Sequence, residues 1–206
     1  MEKVKTLIGK NLALFGRANG LTRSDLEKLV GVYVKILLAN AHPESRIKTI
    51  FGIMDEFNNN KQMADRASCK AGCSHCCHQP IMVSEEEVEY ILSQPRYQGI
   101  VDFKTLAEQA SWEKEDYYKN ENRSKTGCVF LSDKGYCQIY THRPAACRSY
   151  FVASHPTFCR LEYQHKHRQF ELMINMQAEI LLSALWSISK GSIETLAKKL
   201  FKKEKG

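Results

Sequence analysis

Cysteine is the residue type whose spacing in this chain most directly predicts chemistry. Four cysteines fall close together in the pattern Cys69-x3-Cys73-x2-Cys76-Cys77. Thiolates are costly to bury and repel one another, so they assemble around a compensating cation. Because two residues separate Cys73 from Cys76, both sulfurs can face one ion. We therefore expect a metal site here rather than a set of inert, buried thiols.

Four further cysteines lie downstream, and we expect them to fold over the first group and close the site. The predicted metal ligands are Cys69, Cys73, Cys76, Cys77, Cys128, Cys137, Cys147 and Cys159. A four-iron cluster needs about four thiolates and tolerates irregular spacing, whereas two tetrahedral zinc ions would use all of them. One short two-residue spacing is present where paired zinc sites often have two, which gives an iron–sulfur cluster a small preference over zinc. A redox-active dithiol and a disulfide framework are the other uses of cysteine that the spacing leaves open.

Neighbouring side chains predict how such a centre is supported. A metal held by four thiolates carries net negative charge, and guanidinium groups can donate hydrogen bonds to sulfur. We therefore predict that Arg143 and Arg148 bind the cofactor, with Lys70 as a further cation; surface salt bridges are the alternative role for the arginines. His75 and His78 could replace a thiolate, although single histidines inside a ligand loop more often orient the ligands.

Helices are predicted on the N-terminal side of the cysteines, where apolar residues recur three or four positions apart. Ser24 with Glu27 forms a capping box for the second helix, and Pro43 opens the third. The expected core-facing positions are Val4, Leu7 and Leu14 in the first helix, Leu26, Leu29, Val30, Val34 and Leu37 in the second, and Ile47, Ile50, Phe51, Met54 and Phe57 in the third.

The sequence of the middle and of the C-terminal tail of the chain predicts short helices and a short β-hairpin, followed by two tail helices. Ser84 with Glu87 caps a short helix, and a polar helical insert follows over 103–118. The segments 128–131 and 136–140 predict a short β-hairpin, and Pro144 opens a short helix with Cys147 in its first turn. The tail predicts a helix from about Glu162 to Ser189 and a last helix capped by Ser192. The apolar positions of the longer tail helix are Phe170, Met173, Ile174, Ala178, Leu181 and Leu185.

The fold class that follows is mainly α: a helical bundle around a small cysteine-rich metal-binding core with a short β-hairpin. We divide the chain into an N-terminal helical region over 1–65, a cysteine-cluster metal-binding domain over 66–160, and C-terminal helices over 161–206 that pack on the rest. At 206 residues the chain can build a packed core without disulfide staples.

Charge and hydropathy narrow the setting in which the protein works. The net charge is +7, and much of the excess lies in the C-terminal lysines. We interpret this run as a solvated face, with contact to nucleic acid or an anionic surface only weakly suggested. No segment is apolar enough for a membrane span, and the N-terminus lacks a signal-peptide pattern. We therefore expect a cytoplasmic protein whose thiols stay reduced.

The cysteine pattern and its flanking residues resemble a known family. Cys69-x3-Cys73-x2-Cys76-Cys77, the run Cys128-Val129-Phe130-Leu131, and Arg143-Pro144-x2-Cys147-Arg148 resemble the YkgJ-type cysteine-cluster proteins, a zinc- or iron-chelating domain with a CxxCxxCC signature. The first gap here is three residues where the signature has two, so the sequence departs from the signature at Cys69 and matches it at Cys73, Cys76 and Cys77. The resemblance covers about 69–160 and implies metal binding without implying a reaction.

Two enzyme classes share part of this pattern. Flagellin lysine N-methylases resemble it in their cysteine motif, but similarity of a site scaffold is a poor guide to chemistry. Cys69-x3-Cys73-x2-Cys76 also matches the signature of radical S-adenosylmethionine enzymes. Those enzymes need repeated strand–helix units, and the sequence after Cys77 does not offer them.

The sequence thus predicts a metal-binding protein whose reaction, if any, stays open. One alternative is an iron–sulfur-dependent enzyme, such as a protein lysine methyltransferase or an oxidoreductase, with an open metal position or a pocket beside Cys77 and Arg148. Another is a zinc-stabilised module that binds a protein partner through its basic tail. The sequence offers no convincing Ser/His/Asp triad or paired-carboxylate site.

Overall fold

The computed structural model describes residues 7–40, 42–70, 72–95, 97, 99–120, 122–160 and 171–205, and within them the fold is mainly α, as predicted. The helices α1 to α11 are Lys10–Ala18, Arg23–Ala39, Pro43–Asn58, Lys61–Arg66, Glu85–Leu92, Phe103–Ala110, Lys114–Lys119, Arg123–Thr126, Ala145–Ser149, Met176–Ile188 and Leu196–Lys205. Short 3-10 helices span His75–His78, Tyr140–His142 and Pro156–Cys159. The strands β1 to β4 are Met82–Val83, Phe151–Val152, Leu172–Met173 and Glu194–Thr195.

The larger apolar core, which we call the bundle core, forms where α10 packs against α1, α2 and α3. Pro43 begins α3 as predicted, because its fixed φ suits a first helical turn and no N–H is needed there. Burial confirms the predicted stripe of this helix at Ile47, Ile50, Phe51 and Met54, with Phe57 partly buried. From α10, Leu181 and Leu185 complete the same core.

The predicted stripe of the first helix is wrong. Leu14 is 43% exposed, whereas Leu12 and Gly16 are buried. The reason is a close approach: a Cβ at Gly16 would lie 2.8 Å from Cδ1 of Leu26. Leu7 precedes the helix, and Val4 lies outside the described residues.

The predicted cap of α2 is also wrong by two residues. Thr22 is the N-cap, and its hydroxyl accepts a hydrogen bond from the N–H of Asp25 at 3.2 Å. The Asp25 carboxylate accepts from the N–H of Thr22 at 2.9 Å, which closes the capping box. Ser24 therefore lies inside the helix. Leu29, predicted on the buried face, is 38% exposed.

A second apolar core lies under the cysteine hairpin. It collects residues from α5, α6, α11 and the segment 129–139, with Cys128 and Cys137 partly buried against it. The predicted capping box of α5 is confirmed, since Ser84 and Glu87 exchange hydrogen bonds in both directions. Here the predicted hairpin is present in a reduced form: one antiparallel bridge joins Leu131 to Cys137.

The tail forms a shorter helix than predicted. Helix α10 begins at Met176, because the Asn175 side chain accepts hydrogen bonds from two backbone N–H groups of the first turn. Met173, predicted in this helix, lies in β3 and pairs with Phe151. The predicted cap at Ser192 is replaced by β4, which pairs with β1 before α11 begins. Phe170 lies outside the described residues.

The basic residues of α11 form ion pairs within the chain. Lys199 is 4% exposed and lies 2.8 Å from Glu85, and Lys203 lies 2.6 Å from the same carboxylate. These lysines hold the pKa of Glu85 below its usual value. Lys198 pairs with Glu113. These ion pairs therefore join α11 to the acidic first turn of α5 and to the N-cap of α7.

None of the helices in the described part of the chain combines the length and the apolar character needed to cross a bilayer.

Candidate metal centre

Three chain segments that carry the cysteines meet in the fold. The N–H of Cys128 donates to the carbonyl of Cys77 at 2.7 Å, which ties the start of the hairpin to the first cysteine group. The N–H of Ser68 donates to the carbonyl of Val152 at 2.8 Å, on the strand that follows Cys147. The 3-10 helix His75–His78 contacts the 3-10 helix that ends at Cys159. Residues far apart in sequence are thus brought to one place.

Two glycines allow the turn of the hairpin to lie against the first cysteine loop. Gly72 has φ +83° and Gly135 has φ +78°, conformations that other residues rarely adopt. A Cβ at Gly135 would lie 3.5 Å from the hydroxyl of Ser74 and 3.6 Å from the carbonyl of Gly72. A Cβ at Gly72 would lie 3.5 Å from the ring of Tyr136. These are ordinary van der Waals distances, so the backbone conformation is what favours glycine at these turns.

The Cys76 thiol is the electrostatic centre of the group. Its pKa is raised well above the usual value, first by a hydrogen bond with Cys77 and then by burial. Burial also raises the pKa values of Cys69 and Cys159, and in both cases Cys76 and Cys73 add to the shift. Four thiols that influence one another in this way would become costly neighbours if they ionised without a cation.

A second set of thiols also interacts with Cys76. Burial raises the pKa of Cys128 to about 12, with Cys137 and Cys76 adding to it. Burial raises the pKa of Cys147 well above its usual value, and Cys128, Cys76 and Cys137 increase the shift. The thiols therefore fall into two sets, one containing Cys69, Cys73 and Cys159 and the other containing Cys128, Cys137 and Cys147, and Cys76 interacts with both.

All eight cysteines are free thiols in the structure, and seven are partly exposed. In the positions that the described side chains occupy, no three His, Cys, Asp or Glu groups lie close enough to share a metal ion. Ligation therefore requires thiols to turn from their mutual contacts toward a common point. The donor set fits a thiophilic metal in kind, since soft thiolates select zinc or iron–sulfur clusters.

Arg143 is the cation that acts on the most thiols. It lowers the pKa values of Cys69, Cys76, Cys137 and Cys147, against the effect of burial. Its guanidinium lies 3.9 Å above the ring of Tyr140, and its Nε is buried without a hydrogen-bond partner among the described residues. An unsatisfied charged donor is costly to bury, so this N–H is available for an anionic acceptor.

Arg148 uses its donors on the protein instead. Its side chain is 1% exposed and pairs with Asp55 of α3. The Nε–H donates to the carbonyl of Arg143 at 3.0 Å, and an Nη2–H donates to the carbonyl of Thr141 at 2.6 Å. Its guanidinium also lies 4.2 Å above the ring of Phe51. The two predicted cofactor-binding arginines thus occupy different surroundings.

Two polar residues that sequence reasoning did not assign to the site hold the Cys147 helix. Asn58 donates from its side chain to the carbonyl of Arg148 at 2.7 Å. Glu87, which is fully buried, accepts from the N–H of Ala145 at 2.8 Å. A signal existed for Asn58, because it falls four residues after Met54 on the buried stripe of α3, where a polar residue needs a partner.

The local charge balance favours an anionic centre. The segments 68–79 and 128–160 contain one acidic residue, Asp133, and the five cations Lys70, Lys134, Arg143, Arg148 and Arg160. Lys70 itself is exposed. The predicted alternative ligand His78 lies in the same loop, with its Nδ1 3.2 Å from the hydroxyl of Thr126. His75 lies in the same 3-10 helix.

A small cavity lies beside Cys128. It measures about 20 Å³ and is lined by polar groups of Gln79, Gln109 and Tyr117 among others. A space of this size holds one water molecule.

Comparison with known proteins agrees with this geometry. Residues 68–175, just over half of the chain, match the family model CxxCxxCC, described as a putative zinc- or iron-chelating domain. The chain belongs to this family. Membership supports metal binding by the chain and leaves the choice between zinc and iron open. No curated protein and no solved structure shows a significant match to it.

Proposed function

We propose that this protein binds an iron–sulfur cluster through thiolates of its eight cysteines and that it acts as a metal-binding protein. The observation that carries the proposal is the meeting of three cysteine-bearing segments, joined by backbone hydrogen bonds and helix contacts, within a domain of a metal-chelating family. Buried thiols with raised pKa values are stable as neutral groups, and binding a cation would let them ionise. The proposed ligands are drawn from both sets of thiols.

An iron–sulfur cluster would use about four of the thiolates. The set of Cys128, Cys137 and Cys147 completed by Cys76 supports this reading, because these residues influence one another directly. A cluster held in this way carries net negative charge, and Arg143 with its available Nε–H supports that charge. Cys77, whose thiol is hydrogen-bonded to that of Cys76, would then lie beside the cluster.

A pair of zinc ions is the second candidate. It is favoured by the division of the thiols into two sets that both influence Cys76, the neighbour of Cys77. Each ion would take three thiolates from its own set and one thiolate of the Cys76–Cys77 pair, which gives each zinc four sulfur ligands at Zn–S distances of about 2.3 Å.

The size of the cavity beside the thiols supports metal binding, rather than catalysis, as the proposed function. A space of about 20 Å³ beside Cys128 admits a water molecule and no organic substrate. An enzyme would need an open metal position or a larger pocket next to Cys77 and Arg148. The free state of all eight thiols supports a reducing compartment, so the cytoplasm is the proposed location.

The domain boundaries at residues 65 and 160 are likewise proposals. The contacts of α3 with α9, and of α10 with α3 and α9, support a fold in which the flanking helices form part of the scaffold of the cysteine domain.

The deciding experiment is anaerobic purification followed by analysis of iron, zinc and inorganic sulfide, with an absorption spectrum. A brown protein absorbing near ~400 nm and holding iron and sulfide would support the cluster. A colourless protein with two zinc ions would favour the second candidate. A metal-free protein from iron- and zinc-replete cells would contradict both.

Cysteine-to-serine variants sharpen this test. Cys76→Ser should abolish retention of the iron–sulfur cluster under the cluster proposal and should remove about one of two zinc ions under the zinc proposal. Under the cluster proposal, Cys159→Ser should retain the full iron and sulfide content and Cys147→Ser should lose it. Under the zinc proposal, each of these two variants should lose about one of two zinc ions. Ser74→Ala, in the loop between Cys73 and Cys76, is the matched control and should bind the metal as the wild-type protein does.

A further inference from the structure

Asp55 of α3 connects the N-terminal helices to the thiols. Its carboxylate pairs with Arg148 through one oxygen and lies 4.0 Å from an Nη2 of Arg143 through the other. One carboxylate therefore faces both arginines that precede and follow Cys147. Asp55 lies outside residues 68–175, the part of the chain that matches the family.

The two arginines differ in what they leave available. Arg148 donates its Nε–H and an Nη2–H to backbone carbonyls, and these hydrogen bonds fix its orientation. Arg143 stacks on Tyr140 and has an Nε that is buried and without a partner among the described residues. The thiols whose pKa values Arg143 lowers belong to both cysteine sets. A carboxylate beside one nitrogen of a guanidinium restricts the directions of the other N–H groups, because the group is rigid and planar.

We propose that Asp55 is a positioning residue for the metal centre, holding Arg143 so that its Nε–H donates a hydrogen bond to a metal-bound sulfur. The inference rests on the proposed function, since it needs a bound metal. It also assigns a role in the site to a helix that precedes the family domain. Groups that orient and stabilise metal ligands typically change metal affinity by about 10–100-fold when removed.

The test compares three variants of the full chain with the wild-type protein. Asp55→Asn keeps the shape and removes the charge, and Arg143→Lys keeps the charge and removes the Nε–H. Glu56→Gln, at an exposed position next to Asp55 on α3, is the control for loss of an acidic group. Metal retention against EDTA is measured by elemental analysis, and the sulfur-to-metal absorption is recorded on the iron-loaded protein or, for a zinc protein, on the cobalt-substituted one.

We expect Asp55→Asn and Arg143→Lys each to weaken retention by about 10–100-fold and to shift the absorption band, while Glu56→Gln changes neither. The double variant should be no weaker than Arg143→Lys alone, because both changes break one chain of contacts. A purely structural role of Asp55 would lower stability without moving the band and would add to the effect of Arg143→Lys; either result would overturn the inference.

The failures of the two proposals are distinguishable. If the wild-type protein retains no metal, both are overturned. If it retains metal and the Asp55→Asn protein matches it in affinity and spectrum, the proposed function stands and this inference falls. Should Asp55→Asn not fold, Arg143→Lys leaves the Asp55–Arg148 pair intact, and an unchanged spectrum in that variant overturns the inference by itself.

Discussion

The bundle core and the cysteine region of this protein are held together by different forces. In the bundle core, aliphatic and aromatic side chains pack together, most of them from α1, α2, α3 and α10 with Tyr90 of α5 and Ala145 of α9, and apolar burial stabilises them. In the cysteine region, the described residues of 68–79 and 128–159 form short 3-10 helices, the five-residue helix α9, the two-residue strand β2, an isolated β-bridge and glycine-dependent loops. Backbone hydrogen bonds and thiol contacts join these pieces, and seven of the eight cysteine residues are partly exposed although burial raises the pKa of thiols such as those of Cys128 and Cys147.

The comparison leads us to expect that the bundle core serves as a scaffold and that the cysteine region depends on a bound metal. Buried thiols with raised pKa values resist ionisation, and ionisation is what metal binding requires. Helices outside the cysteine region hold the Cys147 helix through Asn58 and Glu87, and Asp55 of α3 pairs with Arg148. We therefore expect the two regions to respond differently to the same perturbation.

Removing the metal should give the largest difference between the regions. Hydrogen exchange of backbone amides in 68–79 and 128–159 should become faster by about 100-fold or more, since apparent binding free energies at structural zinc sites reach ~10 kcal/mol. Amides of α2 and α10 should keep their protection, because their stability comes from apolar burial. Equal acceleration in both regions would show that the bundle core also depends on the metal.

A cavity in the bundle core should have the next largest effect. Leu181→Ala removes a fully buried side chain and should lower the free energy of unfolding by about 2–5 kcal/mol. Metal content per folded chain should stay unchanged. Ile36→Ala, at a 54% exposed position on α2, is the control and should change the free energy of unfolding by less than about 0.5 kcal/mol. Loss of metal in folded Leu181→Ala protein would mean that the regions are coupled.

Alkaline pH should destabilise the metal-free protein through its thiols. The pKa of Cys128 and that of Cys159 are each about 12 in the folded chain against an ordinary value of 9.0. Because these folded-state values are raised, the stabilisation is fully present below about pH 9 and is lost as the pH rises toward 12. Chemical denaturation at several pH values would measure this decline. It should be absent from the loaded protein below about pH 10, and a flat profile in the metal-free protein would contradict the prediction.

The smallest effect should come from the surface ion pairs of α11. Lys202 is 63% exposed and pairs with Glu194, so Lys202→Ala should change the free energy of unfolding by less than about 1 kcal/mol. The difference should shrink further at high salt, where exposed charges are screened. A larger change, or a change in metal content, would show that this pair supports the cysteine region.

Local patterns were enough to predict the elements whose cause lies within a few residues. Pro43, the Ser84–Glu87 capping box and the stripe of α3 were predicted correctly, because each depends on neighbours three or four positions away. Leu14 and Met173 were predicted incorrectly for a different reason. The close approach of Leu26 to Gly16 decides which face of α1 is buried, and Phe151 takes Met173 into a strand pair.

For the candidate site, too, local sequence predicted some features and contacts between distant residues decided the others. Cysteine type and spacing predicted a thiol-rich centre, and the family match agrees with that prediction. The ligand assignment of the individual cysteines stays a prediction. The sequence treated Arg143 and Arg148 as equivalent, and the fold separates them, because Asp55 and two carbonyls surround one of them.

The sequence alone determined the chemistry that this protein can support, since thiols at short spacing have few uses besides metal binding and redox reactions. Tertiary structure alone decided which charged groups face those thiols and which hold the backbone around them. The physical reason is range: spacing and capping act over a few residues, whereas the partners of Arg148 and Cys128 lie far away in the chain and meet them only after folding.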